Sequence, residues 1–187
     1  RHPGRALSLT IAAGGGGGST DAAARQKFRE ECEAFAQRIE REGMPAMAEL
    51  YCTSSARNTY RWKDPRGWEE FKRQFAEGSA VGHAMTMRGV QGARVPFFDR
   101  TAELAKIAEP MLVIIGDEDE STHGLAVHLK KVVARSGVLE MPKCGHTMNL
   151  EEPAFFNTAM QDFLHAVEND RWPAREAVSY TLIPPSR

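Results

Sequence analysis

The sequence predicts an α/β fold, in which helices interrupt a mostly parallel sheet. Residues 111–115 form an unbroken apolar run with branched side chains, which is typical of a strand buried on both faces. A helical stretch and a second short strand at residues 138–141 follow, in the order of a parallel β-α-β unit. Residues 21–100 have a helical pattern and separate this unit from an earlier apolar run at residues 6–13. The helical stretch is therefore expected to be an insertion between two core strands.

Composition is that of a globular domain with a core of its own. The chain has 187 residues, of which 42% are hydrophobic and 26% are charged. A chain of this length buries roughly 70% of its unfolded surface. The formal net charge of −1 gives no electrostatic reason to expect nucleic acid or an anionic membrane as a partner. No apolar run approaches the ~18 residues that a membrane span requires.

Three cysteines, Cys32, Cys52 and Cys144, are present at no spacing typical of a metal site. They predict free thiols in a reducing compartment, and hence a cytoplasmic location. The chain begins at Arg1 inside what resembles the end of a helix, without an initiator methionine. We therefore expect it to be part of a longer protein or a processed product.

The N-terminal residues predict a turn (residues 1–5), a buried strand (residues 6–13) and a glycine run (residues 14–18). Gly14-x-Gly16 begins a dinucleotide-binding fingerprint, but Ser19 stands in place of the third glycine, and no Lys-Ser or Lys-Thr pair closes a phosphate loop. Five consecutive glycines instead predict a flexible joint. Nucleotide binding by this loop is the less favoured hypothesis.

The helical stretch begins with an amphipathic helix over residues 21–43, ended by Gly43-Met44-Pro45. Further helices are predicted over residues 46–57, 68–77, 79–91 and 101–108. We expect the large apolar side chains of the helical stretch to pack between its helices, with an apolar substrate pocket as the alternative. These side chains are Trp62, Trp68, Met85, Met87, Phe97 and Phe98. Four basic residues are expected to form a solvated face rather than an anion site: Arg57, Arg61, Lys63 and Arg66.

The last predicted element is an amphipathic helix over residues 153–168, whose apolar side chains keep to one broad face. The tail from Asn169 contains Trp172 and three prolines and has no clear secondary structure. We expect it to cover a surface of this domain or of a second subunit in a homo-oligomer.

Chemically useful side chains follow both strands of the β-α-β unit. Four acids, residues 117–120, come directly after the first strand, and Cys144-Gly145-His146 follows the second. In open α/β sheets, sites form beyond the carboxyl ends of the strands. Histidine titrates near neutral pH and can act as a general base and then a general acid, while a carboxylate orients it. By this reasoning alone, Asp117 is nearly as eligible as Asp119.

Residues 101–168 resemble the C-terminal end of an α/β-hydrolase. In that family, a strand ending in G-x-x-D delivers the catalytic acid, which matches Gly116 and Asp119, and a G-H loop delivers the base, which matches Gly145 and His146. The resemblance implies a triad in the order serine, acid, histidine. The serine belongs upstream in G-x-S-x-G, a pentapeptide that does not occur in these 187 residues.

Two further segments carry the resemblance: the LEEP sequence at residues 150–153 resembles the lead into the last helix, and the HPGR turn at residues 2–5 resembles the turn before a core strand. The resemblance also implies that residues 21–100 are a cap domain between a core strand with its glycine joint (residues 1–20) and a C-terminal core (residues 101–168). Residues 169–187 are then a tail.

The function implied is hydrolysis of a small-molecule ester or related acyl bond, with Asp119 and His146 as catalytic residues and with neither cofactor nor metal. The nucleophile and the oxyanion hole would lie on a complementary N-terminal segment, so this chain alone is expected to hydrolyse almost nothing. Within the same family, the bond could instead be a carbon–carbon bond, a lactone, an epoxide or a haloalkane, the last two with an aspartate nucleophile.

Three less favoured hypotheses depart further from this function. The chain could be a non-catalytic protein-interaction module, in which the acid and the histidine have no chemical task. The Cys144 thiol could serve as a nucleophile, or Cys144, His146 and His123 could form a metal site, although their spacing is not typical of one.

Overall fold

The computed structural model describes residues 4–17 and 21–175. These residues form a parallel sheet in the order β1-β2-β3, with β1 at Leu9–Ala12, β2 at Met111–Gly116 and β3 at Ser136–Met141. The predicted α/β class and parallel sheet are confirmed. The expectations for residues 1–3, 18–20 and 176–187 lie outside the described residues.

Strand β2 is the centre of the core, and all six of its residues are buried. Because side chains alternate along a strand, Met111, Val113 and Ile115 lie on one face and pack against α6 (Glu120–Val132). Ile114 and Leu112 on the other face pack against α8 (Pro153–Glu168). An unbroken apolar run is therefore required here, since helices cover both faces.

Strand β1 is shorter and more exposed than the sequence predicted. A buried strand was expected over residues 6–13, whereas β1 is limited to Leu9–Ala12 and its residues alternate between half-buried and exposed. Within the described residues, β1 pairs with β2 alone, so it forms one edge of this sheet. An edge strand has one neighbour less to cover its side chains, which accounts for the difference.

Four of the helices that the structure describes between β1 and β2 are here called the helical layer: α1 (Ala22–Cys52), α2 (Ser55–Lys63), α3 (Pro65–Ala76) and α4 (Ala80–Thr86). Shorter segments complete the chain: a π-helical turn at Met87–Gln91, a 3₁₀ turn at Phe97–Arg100, α5 at Thr101–Leu104 and α7 at Met148–Glu151. None of the helices in the described part of the chain is long and apolar enough to cross a membrane.

The break predicted at residues 43–45 is a kink inside α1. Gly43 has φ = 76°, a conformation that glycine reaches without strain, and Pro45 cannot donate a backbone hydrogen bond. The helix then continues to Cys52, where the Thr53 hydroxyl donates to the Glu49 carbonyl at 2.6 Å. The helix predicted over residues 46–57 therefore ends five residues early, and α2 begins as a separate element.

The helical layer has apolar clusters of its own. One is built on Ile39, Met47 and Ala84, which join α1 to α4. In the other, Trp68 packs with Cys52 and donates its indole N–H to the Cys52 carbonyl at 3.0 Å. Trp68 thus has the packing role expected for it.

The chain after α8 returns to the sheet. The indole N–H of Trp172 donates to the Arg135 carbonyl at 2.8 Å, and the Arg135 guanidinium donates to the Trp172 carbonyl at 2.7 and 2.9 Å. The indole also packs edge-on against Phe163 at 4.8 Å. A Cβ at Gly137 in β3 would lie 2.5 Å from the indole, so the strand needs glycine there. The start of the tail therefore covers a surface of its own domain.

We expect Trp172→Ala to lower the free energy of unfolding by about 2 kcal/mol, because it removes this half-buried indole and its hydrogen bond. Trp62→Ala is the matched control, since the Trp62 side chain is 73% exposed and should contribute less than about 0.5 kcal/mol. Urea denaturation of both variants measures the difference. Equal losses would contradict a packing role for the tail.

Candidate functional site

The structure brings together the acid and the histidine that the sequence singled out. Asp119, in the turn between β2 and α6, is only 2% exposed, and its Oδ2 lies 2.5 Å from Nδ1 of His146. Its other oxygen, Oδ1, accepts a hydrogen bond from the Ser121 hydroxyl at 2.7 Å. Both carboxylate oxygens therefore have partners, and one of them is the imidazole.

Asp117 has a different role from Asp119. Its Oδ1 accepts the backbone N–H of Cys144 at 3.1 Å, so it ties the acid turn to the loop that carries the histidine. Hydrogen bonds from the backbone of Lys143 and Cys144 hold the pKa of Asp117 below its usual range. The structure therefore distinguishes the two acids by their contacts: Asp119 contacts His146, and Asp117 supports the loop.

Gly116 allows these two loops to approach each other. A Cβ at this position would lie closer than 3.0 Å to the carbonyl oxygens of Cys144 and Gly145, which real Cβ atoms essentially never do. The loops are also joined by a hydrogen bond from the Glu118 N–H to the Cys144 carbonyl at 2.9 Å. The glycine of the G-x-x-D pattern is therefore required by backbone packing.

Glu151 holds the backbone on both sides of the histidine. It is 6% exposed, and its Oε2 accepts the Gly145 N–H at 2.8 Å while its Oε1 accepts the Thr147 hydroxyl at 2.9 Å. The N–H of His146 itself donates to the Ala56 carbonyl of α2 at 2.9 Å. Glu151 was noticed in the sequence only as part of the LEEP resemblance, because a buried carboxylate on a one-turn helix has no sequence signature.

Electrostatics keep Asp119 ionised. Burial raises the pKa of its carboxyl, but the hydrogen bonds from His146 and Ser121 outweigh this effect, so the pKa lies below its usual range. An ionised carboxylate only accepts, and Nδ1 of His146 must therefore carry the proton that joins them. In the neutral imidazole this tautomer leaves a lone pair on Nε2, as a general base requires.

His146 lines a cavity of about 600 Å³ between the helical layer and the sheet. Its walls include Phe28 from α1, Leu125 from α6 and glycines 15–17. Of the six apolar side chains proposed from the sequence as an alternative pocket, Phe98 is among the lining residues. Three glycines of the run, Gly15 to Gly17, thus form a wall of this cavity.

The expectation of a solvated basic face was wrong for Arg57. This residue is 8% exposed, lines the cavity and lies over the Tyr51 ring at 4.0 Å. Its guanidinium also donates to the Tyr51 hydroxyl oxygen. Arg57 is buried because α1, α2 and α3 pack around it, which the local sequence does not reveal.

The Cys144 thiol is enclosed beside the site. It is fully buried, and its Sγ lies 3.5 Å from Nζ of Lys63. Burial raises the pKa of this thiol, which disfavours the thiolate that a nucleophile requires. His123 pairs with Glu140 at 2.7 Å, so Cys144, His123 and His146 have separate partners.

Comparisons with known proteins agree with this architecture, although no family model matches the chain. A Bacillus subtilis protein named as a 2-succinyl-6-hydroxy-2,4-cyclohexadiene-1-carboxylate synthase is 28% identical over 88 residues, which are 46% of this chain and 31% of the relative.

Among solved structures, MenH from S. aureus superposes with a TM-score of 0.80 at 18% identity, over 87% of this chain and 60% of that one. An esterase from Thermogutta terrifontis has a TM-score of 0.70 at 21% identity, over 86% and 56%. The enol-lactonase from Burkholderia xenovorans LB400 has a TM-score of 0.67 at 20% identity, over 88% and 58%.

These neighbours share the α/β-hydrolase fold. The chain spans 60% or less of the length of each of them and about a third of the curated relative. The chain therefore has part of an α/β-hydrolase fold, as its resemblance to that superfamily predicted.

We expect Gly116→Ala to lower the free energy of unfolding by about 3 kcal/mol, because the new methyl group would meet backbone that cannot move without separating the two loops. Gly89→Ala is the control: a Cβ there meets nothing within 4 Å, and the change should be within about 1 kcal/mol of neutral. Urea denaturation compares them. If the two variants were equally stable, the close approach would not be a constraint.

The lowered pKa of Asp119 also predicts a pH dependence. Its carboxylate stabilises the fold above the unfolded pKa of about 3.9, and this contribution disappears as the pH falls through the lower, folded pKa. The stability difference between the chain and Asp119→Asn should therefore be largest near neutral pH and shrink on acidification. Denaturation at a series of pH values measures it, with Asp162→Asn on the exposed face of α8 as the control.

Proposed function

We propose that this chain supplies the acid and the base of a hydrolase acting on ester or related acyl bonds through a Ser-His-Asp triad. The observation that carries the proposal is the 2.5 Å hydrogen bond between Asp119 and His146, beyond the carboxyl end of the sheet and beside a cavity of about 600 Å³. Buried acid–histidine pairs in such a place are suited to proton transfer.

Each residue has a defined task in this reaction. Nε2 of His146 takes the proton of the serine hydroxyl as its oxygen attacks the acyl carbon, and then gives that proton to the leaving alkoxide. Water repeats the cycle and releases the acid product from the acyl-serine. Asp119 keeps the imidazole oriented and stabilises the imidazolium between the two transfers.

We propose that the nucleophile and the oxyanion hole come from a segment outside this chain. Ser121 borders the cavity, but its hydroxyl is engaged with Asp119 and it lies in the first turn of α6 rather than in a strand–turn–helix elbow. Loss of oxyanion-hole donors alone costs on the order of 10²–10³ in rate. The isolated chain should therefore be almost inactive.

The helical layer, within residues 21–100, is proposed to act as the cap over this site. In support, α1 and α2 contribute walls of the cavity, and the Ala56 carbonyl of α2 accepts the N–H of His146. A cytoplasmic location is also proposed, because Cys32, Cys52 and Cys144 are all free and buried.

Two of the similar proteins each favour another candidate within the same fold. One is an enol-lactonase, and a lactone is a cyclic ester that the same steps would open. The Bacillus subtilis relative is named as a synthase, which favours a reaction in which His146 acts as a base without net hydrolysis. Assays with lactones beside linear esters separate lactone hydrolysis from ester hydrolysis, whereas a reaction without net hydrolysis would give turnover with neither.

The test is to express the chain together with the proposed complementary N-terminal segment and to assay p-nitrophenyl esters. His146→Ala and Asp119→Asn should each lower kcat by about 10³–10⁴ while the complex stays folded, because each removes a member of the proton-transfer pair. His165→Ala and Asp162→Asn, at exposed positions of α8, are the matched controls and should leave kcat unchanged.

Full activity of His146→Ala would refute the proposal, because turnover would then not depend on the acid–histidine pair. A properly folded complex with no activity toward esters or lactones would count against it equally and would favour a non-catalytic interaction module, in which the pair has no chemical task. Thermal denaturation of each variant confirms that a loss of turnover is not a loss of fold.

A further inference from the structure

We infer that the cavity beside His146 binds an organic carboxylate between the guanidinium groups of Arg57 and Arg94. That this carboxylate would be a substrate rests on the proposed function, whereas the binding site itself is defined by contacts that need no catalysis. Both arginines line the same cavity as His146.

Arg57 is a buried cation whose hydrogen bonds are incomplete. The residue is 8% exposed, and its Nε is enclosed without any hydrogen-bond partner. No carboxylate of the described residues forms a salt bridge with it: the Asp119 carboxylate interacts with its charge at longer range, but both oxygens of Asp119 are engaged by His146 and Ser121. Buried charges normally have a direct partner, so a guanidinium without one beside a cavity indicates a ligand that supplies the partner.

The Arg57 guanidinium is held in place before any ligand arrives. It lies over the Tyr51 ring at 4.0 Å and near the Phe71 ring at 5.9 Å, and it donates to the Tyr51 hydroxyl oxygen. Tyr51 is itself stacked on Phe75 at 4.6 Å. A guanidinium fixed in this way loses little conformational entropy on binding.

Arg94 reaches the cavity along the glycine run. A Cβ at Gly15 would lie 3.7 Å from one terminal nitrogen of Arg94, and a Cβ at Gly17 would lie 3.3 Å from its Nε. Arg94 likewise has no salt bridge among the described residues, whereas Arg25 pairs with Asp99 and Arg88 with Glu33. The run of small residues therefore leaves room for a second, unpaired guanidinium.

The rest of the cavity favours a carboxylate on an apolar body. Phe28, Phe98 and Leu125 line it together with the two guanidinium groups. A planar guanidinium matches the two oxygens of a carboxylate, while the apolar walls suit a ring or an alkyl chain. An acyl compound with a carboxylate at one end would be held with its other end free to approach His146.

The test uses the full chain with benzoate, and with benzamide as the neutral molecule of the same shape. We expect benzoate to bind and to shift the NMR signals of the His146 ring, and benzamide to bind about tenfold more weakly or worse. Arg94→Gln should weaken benzoate binding about tenfold, measured by NMR titration, because it removes one charged donor. Arg94 is exposed, so this substitution leaves the core intact.

Arg73→Gln is the matched control: it removes the same charge from an exposed position on α3, outside the cavity, and should leave benzoate affinity unchanged. Arg57→Lys keeps the charge but not the planar fork and should also weaken binding. Equal affinity for benzoate and benzamide, or equal effects of Arg94→Gln and Arg73→Gln, would overturn the inference. Tighter binding of phenyl phosphate than of benzoate would overturn the assignment to a carboxylate.

These outcomes are independent of turnover. If His146→Ala left ester hydrolysis unaffected while Arg94→Gln still weakened benzoate binding, the proposed reaction would fall and the anion site would stand. If His146→Ala abolished ester hydrolysis while Arg94→Gln left benzoate binding unchanged, the anion site would fall and the acid–base pair would stand.

Discussion

The close packing of two backbone segments at the carboxyl ends of β2 and β3 is the constraint on which the site depends. Gly116 lies against the carbonyls of Cys144 and Gly145, and this proximity places Asp119 and His146 within hydrogen-bonding distance although 27 positions separate them along the chain. A functional pair must be held within about 0.5 Å of its working geometry. In the proposed function, glycine is therefore needed as much for the geometry of this pair as for folding.

Sequence reasoning succeeded where the signal is local. Strand β2 was predicted to within one residue, because a run of branched apolar side chains between covering helices has few other structures open to it. Strand β3 was predicted two residues too short, since Ser136 and Gly137 have little strand propensity. Their roles are tertiary: the Ser136 hydroxyl donates to carbonyls of α6 and its C-terminal end, and Gly137 leaves space for Trp172.

The candidate site was predictable in part for the same reason. The acid and the histidine each follow a predicted strand, and parallel strands bring their carboxyl ends to one edge of a sheet. The choice between Asp117 and Asp119 needed the resemblance to a family or the coordinates, because both lie in the same turn. The burial of Arg57 and the cavity itself arise from the packing of several helices, and no short stretch of sequence encodes either.

The attachment of α2 to the histidine loop limits how the site can open. Ala56 accepts the backbone N–H of His146, and Lys63 at the other end of the helix pairs with Glu152 at 2.6 Å. A rigid-body outward motion of the whole helical layer would break the hydrogen bond between Ala56 and His146 and so release the imidazole. If a ligand enters without misaligning the imidazole, α2 must therefore stay in place while other parts of the layer move.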